Sequence, residues 1–93
     1  MKIIISSKTL ANLLNKIDFE NENVLQVRGE GSNFIINTNK QTLELWVEMI
    51  KFEPRLKQEN ARWDWVKNLV NQIDDQPIVI GLSENSIQII ITY

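Results

Sequence analysis

Hydrophobic positions along the chain change period from one stretch to the next. The longest regular stretch is residues 41–52, QTLELWVEMIKF, where Leu43, Leu45, Val47 and Met49 alternate with Thr42, Glu44, Trp46 and Glu48. A period of two sends alternate side chains to opposite faces of a strand. Two glutamates and a threonine on the second face mean that it meets water along most of its length. The pattern predicts a long antiparallel strand with its other face on a core.

The remaining elements follow as its neighbours. Ile3, Ile4 and Ile5 are β-branched and predict a short buried strand over residues 2–6. Ser6 or Ser7 can then accept from a first-turn amide and cap a helix. Leu10, Leu13, Leu14 and Ile17 fall at i, i+3, i+4 and i+7, which predicts that helix over residues 8–17. Acidic and amide residues make 18–23 a loop. Residues 24–28 read as the second strand, with Leu25 and Val27 inward. Gly29 and Gly31 supply positive φ in a turn over 29–33. Residues 34–37 are the third strand, and a turn at 38–41 returns the chain into the long fourth one. Connections this short make strands two to four an antiparallel meander.

Residues 52–60 carry contrary signals. The residue before Pro54 is pushed out of the helical region, yet proline also suits the first position of a helix. Val66, Leu69, Val70 and Ile73 then predict a second helix from about Ala61, with Asn60 as its cap. Asp74 and Asp75 suit a helix C-terminus poorly, so the helix stops at or before Asp74, and Pro77 prevents continuation. Residues 78–82 and 86–93 form a closing hairpin through Ser83, Glu84 and Asn85. Ile87, Ile89, Ile91 and Tyr93 share one face of its last strand, with Gln88, Ile90 and Thr92 on the other. The expected fold is a single α+β domain over residues 1–93, in the order β-α-β-β-β-α-β-β. Its simplest closed form is a mostly antiparallel sheet with both helices on one face.

Composition narrows the function. At 93 residues, with 43% hydrophobic and 24% charged, the chain has the make-up of an ordinary globular domain. Cysteine and histidine are both absent, which removes thiolate chemistry, the commonest general base and the commonest metal ligand. The isoleucine run at the start is far too short for a membrane span or a signal-peptide core. Lack of cysteine fits a reducing cytoplasm. A net charge of −2 argues against broad binding to nucleic acid or acidic membrane.

The opening MKIIISSKTLANLLNKI resembles the first strand and helix of the bacterial DNA polymerase sliding clamp. The closing PIVIGLSENSIQIIITY resembles the clamp hairpin that follows the second helix, and the order of elements between them is similar. That resemblance implies a processivity-clamp domain that self-associates by pairing sheet edges. It also implies that helix residues face DNA, here Lys8, Lys16, Arg62 and Lys67. This chain departs from the pattern in having one domain where the bacterial clamp joins three. Residues 8–19 hold Lys8 and Lys16 against Asp18, a net of +1. Residues 60–75 hold Arg62 and Lys67 against Asp64, Asp74 and Asp75, a net of −1. Such a lining attracts DNA weakly.

Three tryptophans stand out. Strand alternation exposes Trp46 beside Glu44 and Glu48, whereas Trp63 and Trp65 flank the apolar stripe of the second helix. These aromatics either anchor a protein contact or wrap the edge of the core. Base stacking needs interleaved cations, and Glu44, Glu48 and Asp64 sit there instead. Glu44 and Glu48 are about 13 Å apart along a strand, too far for a paired-carboxylate site. No calcium-loop or phosphate-loop spacing occurs. Lys51, Arg55, Lys57 and Arg62, interrupted by Glu53 and Glu59, read as a solvated mixed run. The expectation is a non-enzymatic binding or assembly module without cofactor or metal. It would act on itself or a protein partner through Glu44, Trp46, Glu48, Trp63, Trp65, Ile89, Ile91 and Tyr93. The alternative is a small acidic adaptor or immunity-type inhibitor that uses the Trp46 face on a basic partner.

Overall fold

Val47 divides the long alternating stretch in two, and the rest of the topology follows from that break. The computed structural model describes residues 2–51, 60–83 and 87–91. β1 (Lys2–Ser6) leads into α1 (Ser7–Leu14), followed by β2 (Val24–Glu30), β3 (Asn33–Thr38) and β4 (Thr42–Trp46). After Val47 come β5 (Glu48–Lys51), α2 (Asn60–Gln72), β6 (Pro77–Leu82) and β7 (Ile87–Ile91). This is the expected α+β order, with the fourth strand present as β4 and β5. All described strand pairs are antiparallel, and they divide into a four-stranded sheet, β5-β1-β6-β7, and a three-stranded sheet, β2-β3-β4. Expectations for residues 52–59, 84–86 and 92–93 lie outside the described residues.

The break has a local cause. β3 begins at Asn33, which pairs with Trp46, so β4 runs out of partner there. The Val47 amide donates instead to the Ser32 carbonyl in the preceding turn, at 2.8 Å. Glu48 then pairs with Ile4 in the other sheet. The period of two continues through the break, with Leu43 and Val47 buried and Glu44, Trp46 and Glu48 exposed. One stretch of sequence thus serves two sheets without changing which side faces the core.

Two details of β2 and its turn correct the sequence reading. Val24 pairs with Thr38 and Gln26 with Asn37, so Leu25 is the extra residue of a β-bulge. The bulge turns Leu25 outward and leaves Val24 and Val27 in the core. The turn is also tighter than expected. Glu30 pairs with Asn33 across Gly31 and Ser32, and Gly31 alone has positive φ, at 59°. Positive φ at the first of two turn residues is the II′ pattern, whose twist matches that of the strands. Gly29 lies within β2.

α1 opens as expected, with the Ser6 hydroxyl accepting from the Thr9 amide at 3.1 Å. It closes three residues early. The amides of Lys16 and Ile17 bond back only three residues, to Leu13 and Leu14, in a tighter final turn. Ile17 is still buried. α2 starts at Asn60, the residue expected to cap it, and stops at Gln72, before Asp74. Both helices and both sheets share one core, in which Ile3, Leu10, Leu14, Phe34, Ile36, Trp63, Val66, Ile78 and Ile80 are fully enclosed.

Candidate interaction surface

The helices lie side by side and run antiparallel. Ser7, at the start of α1, meets Asp74 just beyond α2, while Ile17, beyond α1, meets Lys67. Between these points Asn15 and Asn71 exchange side-chain amide hydrogen bonds at 3.1 and 2.9 Å. The acidic pair after α2 serves α1. The Asp75 carboxylate accepts from the Lys8 amide at 3.2 Å, which places negative charge at the positive end of the α1 dipole. The Ser7 hydroxyl donates to the Asp74 carbonyl and accepts from the Gln76 amide.

This arrangement bears on one of the four cations that the clamp resemblance assigns to DNA, Lys67. Lys8 and Lys16 are exposed. Lys67 is half-buried; its ammonium donates to the Ile17 carbonyl at 3.1 Å and lies 5.3 Å from the centre of the Phe19 ring. It closes the end of α1 and is not displayed to a partner. The Arg62 side chain lies outside what is described.

The helix tryptophans part company. Trp63 is fully buried, with its ring centre 6.1 Å from that of Phe34 at a 40° tilt, a favourable aromatic pairing. It is a core residue, which corrects its assignment to a contact surface. At 100° per residue, Trp63, Val66 and Val70 fall within roughly 60° of one another, whereas Trp65 lies roughly 160° from Trp63. Trp65 is accordingly half exposed. The Trp63 indole nitrogen has no hydrogen-bond acceptor among the described residues.

Trp46 is 74% exposed, as strand alternation requires. Glu44 and Glu48 are exposed on the same side of the chain. Register places them on different sheets: Glu44 lies opposite Ile35 in the smaller sheet, and Glu48 opposite Ile4 in the larger.

The second surface is the end of the larger sheet. β7 pairs with β6 through Ile78–Ile91, Ile80–Ile89 and Leu82–Ile87 on the inner face, and its other edge has no strand partner among the described residues. Ile87, Ile89 and Ile91 are half-buried against the core, and Ile90 is 53% exposed on the outer face. Register aligns Ile90 with Val79, and Val79 with Ile4, in an outer apolar row that runs to β7. Tyr93 lies outside the described residues.

Sequence reading passed over Glu22. The structure buries it, and its carboxylate accepts from the Thr38 hydroxyl at 2.5 Å, the Gln41 side-chain amide at 2.8 Å and the Asp18 amide at 3.0 Å. The Thr38 bond holds the carboxyl below its ordinary 4.5; burial opposes this, while Gln41, the Asp18 amide and the charge of Lys40 reinforce it. In turn the Thr38 hydroxyl accepts from the amides of Lys40 and Gln41. The group ties the loop after α1 to the turn between β3 and β4. Its donors are all satisfied within the chain, so it is a structural clasp.

Among the described residues no three acidic side chains converge as metal ligands would. No described helix is long and apolar enough to cross a membrane. No protein-family model, curated protein or solved structure matches the chain.

Proposed function

We propose that the protein is a non-enzymatic assembly module that self-associates through the edge of β7 that has no strand partner among the described residues. The observation that carries this reading is the chemistry of that edge. β7 reads IQIII, without a charge or a proline. The other edge strands carry what normally discourages pairing. β2 has a bulge with Arg28 and Glu30, β4 has Glu44, and β5 has Glu48 and Lys51. A row of backbone amides and carbonyls that no described strand pairs, beside half-covered isoleucines, favours an added strand, which would satisfy the backbone and complete the burial. The resemblance to a sliding-clamp domain points the same way, because clamp domains join edge to edge. DNA is a weak candidate partner, since Lys67 is engaged within the fold. Absence of histidine and cysteine supports a non-enzymatic role.

Solution mass tests the reading. Light scattering on a size-exclusion column, at about 10 µM and about 200 µM, should show mass rising with concentration by mass action. Ile90→Lys, at an exposed position, should abolish the rise and leave the circular dichroism spectrum unchanged. A wild-type monomer at both concentrations would refute self-association.

The exposure of Trp46 favours a second reading, an acidic adaptor that presents Trp46, Glu44 and Glu48 to a basic protein. Its signature is binding to a basic partner that is lost in Trp46→Ala.

A further inference from the structure

Resting on that assembly reading, we infer the partner and its geometry: β7 pairs antiparallel with β7 of a second copy, about a two-fold axis perpendicular to the sheet. Two four-stranded sheets then become one continuous sheet of twice the width. One observation selects this occupant, and two more fix how it would sit.

The first is charge. Because β7 carries none, its own copy is a partner that brings no like charges together, whereas a contact using β2, β4 or β5 of a second copy places carboxylates or cations beside the isoleucines. The second is facing. A two-fold axis perpendicular to the sheet keeps the inner faces of both copies on the same side. The half-buried Ile87, Ile89 and Ile91 of one copy therefore meet those of the other. On the outer face the row Ile4, Val79, Ile90 reaches the seam from each side.

The third is register. Directly opposed residues in an antiparallel pair must share a face. Odd-numbered β7 residues face inward and even-numbered ones outward, so opposed residue numbers sum to an even value. The axis then passes over a residue, not between two. Over the five described residues of the strand, well-overlapped pairings place that axis over Gln88, Ile89 or Ile90, and the residue under it faces its own copy. Five described strand residues a side are few against the roughly 20–30 of a stable interface. The pair is therefore reversible, and its population follows concentration.

Because the chain has no cysteine, single-cysteine cross-linking reads this geometry directly. Opposed Cα atoms about 4.5–5.5 Å apart fall within disulfide range. Gln88→Cys, Ile89→Cys and Ile90→Cys are made separately in the full chain and mildly oxidised at about 200 µM, where mass action favours the pair. Trp46→Cys serves as an exposed control. One or two of the three should form a disulfide-linked species of twice the chain mass, and the control should not. Concentration-dependent mass with no cross-link at any of the three overturns self-pairing of β7 and leaves the assembly reading standing. Equal cross-linking of the control reports mere collision and also overturns self-pairing. A monomer at every concentration, with no cross-link, removes both.

Discussion

Replacing Thr38 by valine tests the Glu22 clasp with little change of shape. The hydroxyl it removes is saturated, donating to Glu22 and accepting from the Lys40 and Gln41 amides. A hydrogen bond to a charged group contributes about 1.5–3 kcal/mol, and a neutral one about 0.5–1.5. The Lys40 and Gln41 amides belong to an exposed turn, and water replaces much of what they lose. The Glu22 carboxylate is buried and retains only Gln41 and the Asp18 amide. The expected loss at pH 7 is therefore about 2–3 kcal/mol, dominated by the charged bond. In a domain of this length that lowers Tm by about 8–24 °C. Thr38→Ser keeps the hydroxyl and should lose far less.

The pH dependence identifies the bond. The Glu22 carboxyl titrates below its ordinary 4.5 in the folded chain. Its stabilisation is fully present above that ordinary value and is lost as pH falls through the folded value. The gap between wild type and Thr38→Val should therefore be widest near neutrality and shrink on acidification towards pH 3. Chemical denaturation at both pH values measures it. A gap that does not change with pH, or one below about 0.5 kcal/mol at pH 7, refutes the charged-bond account, since that is the range of ordinary surface substitutions.

Two further outcomes separate core from surface. Trp63→Ala should cost about 3–5 kcal/mol, as large aromatic truncations in cores do, while Trp46→Ala should stay within about 0.5 kcal/mol in the same denaturant series. Asp75→Asn should destabilise by about 0.3–1 kcal/mol at low salt and less at high salt, because it removes a charge from the N-terminus of α1.

The order of elements was legible because each carries its own period. The stripe Leu10, Leu13, Leu14 and Ile17 and the alternation around Trp46 specify helix and strand through local geometry alone. Exposure of Trp46 and burial of Val47 follow from the same alternation. The bulge at Leu25 left a fainter trace: Val24 and Val27, the residues that enter the core, are three apart, which a regular strand does not allow. Trp63 and Trp65 both flank the chosen stripe. The direction in which α2 faces the core buried one and exposed the other, and that direction is set by what packs against the helix.

Local sequence thus determined the order of the elements, the serine cap of α1 and the inward face of α1 and of the stretch around Trp46, since these depend on residues within a turn or two of one another. Which strand pairs with which was decided only in three dimensions. The split at Val47 depends on where β3 begins. The charge of Asp75 acts on a helix 67 residues away in sequence. The burial of Glu22 needs Thr38 and Gln41 brought to it by a hairpin. The uncharged edge of β7 becomes a candidate surface only because β6 occupies one side of it and no described strand the other. Each of these is a long-range contact, and such contacts are fixed by how faces and hydrogen-bonding edges are satisfied together.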